Sequence, residues 1–521
     1  MNQEEIKKKQ KRVMIYVMII SLICVVGVSY AFFTAGMSSE TSTTVRADAG
    51  TMKITYSGGA NIDLAGIYPK DDVWATKTIT VTGNNTTDAD MYYKLTLVVD
   101  LNTFKTDDPL QYELVSTNTS TNGEIIPNIS KTDITGTSIE LGKGHFAKAN
   151  NAKHTYLLKI YYPKKTTSQN ANQGAAFSAH VEITSAKAPK TNGKLSELVL
   201  YNNEVKTPIT TPGTAVSTAD EALLASAEDD NGTSYYFRGA VTNNYVEFAN
   251  KCWRIVRVGG DGSVKLILHN DNTAGAANPC AVANNSASAA FARYSGETYK
   301  SAFNSSSKDN AYVGFKYGTV GASGYDATHA NTNKSTILTN LETWYTNNLA
   351  AYESVIDDNV WCNDKTNVAD TTFNPWNWSN VNGLGYAKNV TYYGATQRLV
   401  STSDSAGGTG PSLKCTGELS KITSKVGLIT ADELAFAGYA YNIGNRTTYL
   451  QENATDTYWW SLSPIEFYNG NAFVWIVRGS NGRFSAGTRV GNKLGVRPSI
   501  SLKSTTNVTG EGTSDKPYKV I

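Results

Sequence analysis

Tyr458-Trp-Trp-Ser-Leu-Ser-Pro464, Asn471-Ala-Phe-Val-Trp-Ile-Val-Arg478, Gly479-Ser-Asn-Gly-Arg-Phe484 and Gly495-Val-Arg-Pro-Ser-Ile-Ser-Leu502 follow one another near the C-terminus. The apolar runs are short, rich in β-branched and aromatic residues, and bounded by Gly, Asn and Pro, which reads as strands joined by turns. Just upstream, Gly427-Leu-Ile-Thr-Ala-Asp-Glu433 carries a helix start. Thr430 can accept from the backbone N–H of Glu433 while the Glu433 carboxylate reaches back, a reciprocal cap that sends Leu434 and Phe436 into the core. A capped helix beside Trp-rich strands predicts an α+β domain. Trp459, Trp460 and Trp475 read first as core, since tryptophan contributes most when its large apolar area is buried.

Working outward, Tyr245-Val-Glu-Phe248, Cys252-Trp-Arg-Ile-Val-Arg-Val258 and Val264-Lys-Leu-Ile-Leu268, with Gly259-Gly-Asp-Gly-Ser263 between the last two, predict a hairpin with a glycine-rich turn. Alternation at Trp253 and Ile255 predicts one buried face. A further helix is expected from Ser335, where Ile337, Leu341 and Trp344 share a face and Leu338, Tyr345 and Leu349 flank it. This domain covers residues 234–521. Residues 188–233 carry Pro189, Pro208, Pro212 and many Thr and Ser, so they read as a linker, with one short helical turn over Ala219–Ala225. Residues 49–187 alternate differently. Met52, Ile54 and Tyr56, then Thr78–Val81, then Tyr93, Leu95, Leu97 and Val99, then Tyr156–Tyr162 and Phe177–Ile183 predict short antiparallel strands of a β-sandwich.

The N-terminus is basic through Lys7, Lys8, Lys9, Lys11 and Arg12, and Val13 to Phe33 follows without a charge. As a helix that run spans roughly 30 Å, enough to cross a bilayer. The flanking cations place residues 1–12 in the cytoplasm and everything after residue 33 outside. Ser29-Tyr30-Ala31 also offers a signal-peptidase site between Ala31 and Phe32, so 13–33 is either a retained transmembrane helix or a removed signal segment. Residues 34–48 read as a linker. The expected localisation is the cell membrane with extracellular domains, or secretion to the cell surface. Among 521 residues the net charge is only +2, which argues against nucleic acid as a partner. Cys24 lies in the apolar run, whereas Cys252, Cys280, Cys362 and Cys415 are exported and read as two disulfides in any of three pairings.

Two resemblances accompany these residues. The apolar segment ending Ser-Tyr-Ala-Phe-Phe, the Ala-Gly-Thr-Met-Lys-Ile step, Ile67-Tyr68-Pro69, Thr78-Ile-Thr-Val-Thr-Gly-Asn84 and Tyr93-Lys-Leu95 resemble the TasA/camelysin family of Gram-positive biofilm-matrix proteins. That implies a jelly-roll-like β-sandwich, release by a dedicated signal peptidase, and in some members polymerisation by a donated N-terminal strand, here residues 32–44. A plain linker is the other reading of that polar stretch. The C-terminal motifs resemble the C-type-lectin-fold branch that includes formylglycine-generating-enzyme-like domains and diversity-generating-retroelement targets on gut Firmicutes surfaces.

The fold expected is therefore mainly β with an α+β C-terminal domain: transmembrane or signal helix, jelly-roll-like sandwich, lectin-like head. Within Ser461–Lys493, aromatic and small polar residues are concentrated: Ser461, Ser463, Glu466, Phe467, Tyr468, Asn469, Trp475, Arg478, Ser480, Asn481, Arg483, Ser485, Arg489, Asn492 and Lys493. Such a set suits an adaptable binding surface, because aromatics give area at low entropy cost and short polar groups give hydrogen bonds. Turn formation is the plainer reading of its Asn and Ser residues. No nucleophile elbow, Walker loop or zincin motif occurs, so no catalytic residue, cofactor or metal is expected. The function expected is an adhesin or receptor-like surface protein whose partner is a host or bacterial surface protein or glycan. The alternative is a structural fibre or matrix subunit that self-associates through the sandwich.

Overall fold

The computed structural model describes residues 43–48, 51–85, 90–118, 122–186, 190–296, 298–378 and 383–521. The basic tail 1–12, the apolar segment 13–33 with Ala31 and Phe32, Cys24 and most of the 34–48 stretch lie outside them. Among the described residues no helix is long and apolar enough to cross a membrane. The chain is mainly β and divides near residue 188 into two compact units.

In the first unit, six antiparallel strands form one sheet in the order Thr43–Asp48, Thr51–Ser57, Lys70–Asn85, Ala149–Tyr162, Gln111–Ser116 and Ile129–Asp133. Four more form a second: Ile62–Ala65, Ala176–Ser185, Met91–Asn102 and Ser138–Phe146. Strand alternation points Ile79, Val81, Tyr156, Leu158 and Ile160 of the first sheet, and Tyr93, Leu95, Leu97, Phe177 and Val181 of the second, into one shared core. Each side chain buried there stabilises the fold by roughly 1.5–3 kcal/mol. Tyr93 and Tyr156 bring hydroxyls into that core, and the Tyr93 hydroxyl meets His154 Nδ1 at 2.7 Å and the Tyr156 hydroxyl at 2.6 Å. Thr43–Asp48, expected within a linker, is instead an edge strand paired with Thr51–Ser57 along its length.

The second unit contains a nine-stranded sheet whose main path runs Asn192–Lys194, Asn507–Thr509, Tyr518–Val520, Tyr245–Phe248, Lys251–Val258, Gly232–Gly239, Ala222–Asp229. Val264–Asn270 pairs with Lys251–Val258 and with Ser499–Leu502. The expected hairpin is thus present, and Gly262 takes the left-handed φ of 80° that its turn requires. Its first strand differs from expectation in being buried on both faces. Trp253 and Ile255 face the main core, while Arg254 on the other side lies 3.8 Å from the Tyr245 ring centroid.

A six-stranded sheet holds Lys300–Ala302, Lys493–Gly495, Trp459–Tyr468, Asn471–Arg478 and Arg483–Arg489 in that order, with Thr391–Tyr392 added beside Trp459–Tyr468. The helix Thr336–Asn348 is capped by Ser335 and buries Ile337, Leu338, Leu341, Trp344 and Tyr345. The helix Ala431–Ala437 has the predicted reciprocal cap between Thr430 and Glu433 and ends at Gly438, whose φ is 118°. A Cβ at Gly438 would lie 2.4 Å from Ser217 Oγ, so both conformation and space demand glycine. Residues 188–233 require correction as a linker. Leu195–Asn202 is a helix burying Leu195, Leu198 and Val199, and 222–229, expected in part as helical, is a strand of the large sheet.

Cys252 pairs with Cys280 and Cys362 with Cys415, selecting one of the three pairings that the sequence leaves open. Arg497 of the Gly-Val-Arg-Pro segment is buried, donates to the Leu268 and Leu450 carbonyls, and lies 5.0 Å from the Trp459 ring centroid. The arginine of that motif therefore joins three segments of the core.

Candidate functional site

The Ser461–Lys493 window divides into an inward and an outward set. Ser461, Ser463, Glu466, Phe467, Trp475 and Ser485 are buried, which removes them from direct contact with a ligand at the surface. Ser461 donates to the Trp475 carbonyl at 2.9 Å, and Ser463 accepts from the Ala431 N–H at 2.9 Å, at the first turn of the capped helix. Trp475 stacks on Phe484 at 4.7 Å. Trp459 and Trp460 are fully buried as well, in keeping with their reading as core.

The outward set is Tyr468, Asn469, Arg478, Ser480, Asn481, Arg483, Arg489, Asn492 and Lys493, all exposed or half-buried. It does not form one continuous face. Arg478, Ser480, Asn481 and Arg483 surround the turn between Asn471–Arg478 and Arg483–Arg489. Tyr468, Asn469 and Arg489 lie toward the other end of those strands, about 20 Å away at 3.3 Å per residue. Asn492 joins Arg489 there, its N–H donating to the Arg489 carbonyl at 3.0 Å.

At the Tyr468 end the sheet meets aromatic residues from elsewhere in the chain. Tyr392, Glu466, Phe473 and Arg489 are successive cross-strand partners, so they share one face. Over it lies the loop Phe373-Asn-Pro-Trp-Asn-Trp378. Trp378 stacks on Tyr468 with centroids 3.6 Å apart and packs on Tyr392 at 5.7 Å. Trp376 lies 4.9 Å from Trp378 and 5.3 Å from Tyr392. Asn374 shapes the loop by accepting from the Trp378 N–H and the Tyr392 hydroxyl, both at 2.9 Å, and by donating to the Trp378 carbonyl at 2.7 Å. Asp404 closes the edge, accepting from Trp376 Nε1 and from the Tyr441 hydroxyl at 2.8 Å each. Burial, first of all, pushes the Tyr441 hydroxyl up to about 12.

Glu466 sits within this aromatic corner, 6% exposed, and among the described residues its Oε2 has no hydrogen-bond partner. Burial pushes its carboxyl well above the ordinary carboxylate range, and no cation among the described residues offsets that cost. The half-buried indoles and the surface carboxylate of Asp404 can together engage apolar ring faces and hydroxyl or amide groups.

A separate concavity contains much of the unit's buried charge. Lys265 Nζ at 2.7 Å and Arg257 Nε at 3.0 Å reach Glu433 Oε1. Arg257 also meets Asp229 at 2.8 Å, and Arg398 bridges Asp364 at 2.8 Å and Asp432 at 2.6 Å. Burial opposes ionisation of Glu433, but Lys265 and Arg257 outweigh it and hold the carboxyl at about 2. Each of these three cations is matched by a carboxylate, so the network braces the capped helix against its surroundings. Among the described residues no group of three or more His, Cys, Asp or Glu side chains is placed to hold a metal ion.

Phe373, Trp376, Trp378, Tyr392, Asp404 and Tyr441 escaped sequence reasoning. The signal was the Phe-Asn-Pro-Trp-Asn-Trp segment itself, three aromatics in a polar loop, where packing alone gives little reason for them. Compared with known proteins, the chain matches no family model and no curated protein sequence.

Proposed function

We propose that this chain is a bacterial cell-surface protein, adhesin or receptor-like, which binds a host or bacterial surface protein or glycan through its second unit. In this reading the first unit is a TasA/camelysin-like spacer, the second a C-type-lectin-like head, and residues 13–33 deliver both across the membrane. The observation that carries it is the corner formed by Trp376, Trp378 and Tyr468 around the unpartnered Glu466 carboxyl. Folding stability alone gives no account of a buried acid without a partner beside half-exposed tryptophans, since an apolar residue there costs less. Asn469, Asn377 and the Ser401, Ser403 and Ser405 hydroxyls add neutral polar groups around it.

The test is binding of the full-length chain to a glycan array and to surface extracts of bacterial and host cells. Trp376→Ala and Trp378→Ala together are expected to weaken any captured ligand about tenfold or more, with the two-unit fold retained by circular dichroism. Unchanged capture by that variant would remove the corner from the binding surface.

A further inference from the structure

The turn between Asn471–Arg478 and Arg483–Arg489 carries a charge arrangement that the fold does not explain. Arg478 and Arg483 are direct cross-strand partners. Like charges facing each other across a strand pair repel and destabilise it. A third arginine joins them, because the exposed Arg446 donates through Nη2 to the Ser480 carbonyl within the same turn. Among the described residues, none of the three forms an ion pair with a carboxylate. Arg483 donates to Asn442 Oδ1, and Arg478 makes only a long 3.4 Å contact to Ser485 Oγ while lying 5.5 Å from the Tyr458 ring centroid. Among the described residues, Arg478 Nε is buried without an acceptor. Several buried or half-buried cations of this unit are treated differently: Arg238, Arg254, Arg257, Lys251, Lys265 and Arg398 each have a carboxylate within 3.0 Å.

The surroundings are neutral and polar. Exposed Ser480, Asn481 and Asn442 lie around the turn, and Tyr458 is 38% exposed. Gly482, with a φ of 66°, fixes the turn, since a Cβ there would lie 1.7 Å from the Asn445 carbonyl oxygen. The Arg478 and Arg483 guanidinium groups are thus presented by a rigid hairpin with Arg446 held against its turn, and each is a planar fork matched to an oxyanion.

We propose that Arg446, Arg478 and Arg483 form an oxyanion site, and that the ligand taken there is an anionic glycan. This rests on the binding reading above and extends it by naming the ligand class. An oxyanion supplies the missing countercharge. The adjoining amides and hydroxyls suit sugar hydroxyls, and Tyr458 offers a ring face for a sugar ring. Nucleic acid fits less well, because the whole chain carries a net charge of only +2 and the cations gather at this turn without extending into a track.

The experiment titrates the full-length chain with polygalacturonate, dextran sulfate, a phosphodiester glycopolymer, neutral dextran and polyglutamate. Binding to one or more of the three anionic glycans is expected, with no binding to dextran, and which of them binds identifies carboxylate, sulfate or phosphate. Arg478→Gln with Arg483→Gln should weaken that binding about tenfold or more and flatten its salt dependence, and Arg→Lys at both positions should restore part of it. Circular dichroism unchanged from the parent shows that the fold is intact. Equal binding by the double variant, polyglutamate bound as tightly as any glycan, or no binding to any anionic glycan would overturn the assignment. Loss of surface-extract binding in the Trp376/Trp378 variant with no effect of the arginine substitutions would overturn this site and leave the broader binding reading standing. Loss in neither variant would remove both.

Discussion

Replacing Glu433 by Gln should destabilise the second unit by about 3 kcal/mol at pH 7, and the cost should fade in acid. The carboxylate sits among Lys265 Nζ at 2.7 Å, Arg257 Nε at 3.0 Å and the Thr430 N–H at 2.9 Å. Gln can accept from Thr430 but carries no charge. Arg257 keeps Asp229 as a partner, whereas Lys265 is left buried without a near carboxylate. Holding the carboxyl at about 2, against an ordinary value near 4.5, corresponds to about 3 kcal/mol at 1.36 kcal/mol per pH unit. Removing one member of a buried ion pair costs about 3–5 kcal/mol by a separate route, so the two magnitudes agree. The sign follows from proton uptake. A folded value below the unfolded one means that unfolding binds a proton, so this stabilisation is full above about pH 4.5 and vanishes as pH falls through about 2. Urea unfolding of parent and variant at pH 7, 4.5 and 3 measures the difference, with equal m-values as the check that only stability changed. Glu433→Gln with Lys265→Met should recover much of the loss, since the stranded cation is gone. A cost below about 1 kcal/mol at pH 7, or the same cost at pH 3 as at pH 7, would refute the reasoning.

Other outcomes follow from buried groups. Glu466→Gln should raise the thermal midpoint at pH 8 and leave it nearly unchanged at pH 4. Its folded value is raised by burial, so the parent loses stability as pH climbs above the unfolded carboxyl value, and Gln has nothing to lose. Trp459→Ala, at a fully buried position beside Arg497, should cost about 3–5 kcal/mol in urea unfolding. Cys362→Ser with Cys415→Ser opens a bridge spanning a sequence separation of 53 and should cost about 4 kcal/mol on the loop-entropy scale, read from the shift in urea midpoint. A protease-sensitive tag at Ile521 should be cleaved on intact cells, and protection until lysis would refute the outward placement of both units.

Much of the second unit was legible because local chemistry and tertiary environment agree. The Thr430–Glu433 cap, the helix start at Ser335 and the glycine turn at 259–263 are short-range signals, and each appears where its residues place it. Residues 188–233 were misread because their prolines and threonines mask Leu195, Leu198 and Val199 at helical spacing. In the same stretch Ala-Leu-Leu-Ala-Ser-Ala-Glu-Asp229 lacks β-branched residues, yet pairing with Gly232–Gly239 makes it a strand. The binding window was read as one surface since its alternation looks continuous. The register shifts between Trp460 and Pro464 and again between Pro464 and Glu466, which turns Glu466 inward among rings supplied from about 90 residues upstream. Neither a bulge nor a distant loop leaves a periodic trace in sequence.

In the nine-stranded sheet, Tyr518–Val520 lies between Asn507–Thr509 and Tyr245–Phe248. The last strand in chain order is therefore the keystone that joins the sheet's two parts, and until it arrives they remain open edges. A chain threaded through a translocation pore from its N-terminus would finish assembling this unit only after residue 520 had cleared the channel.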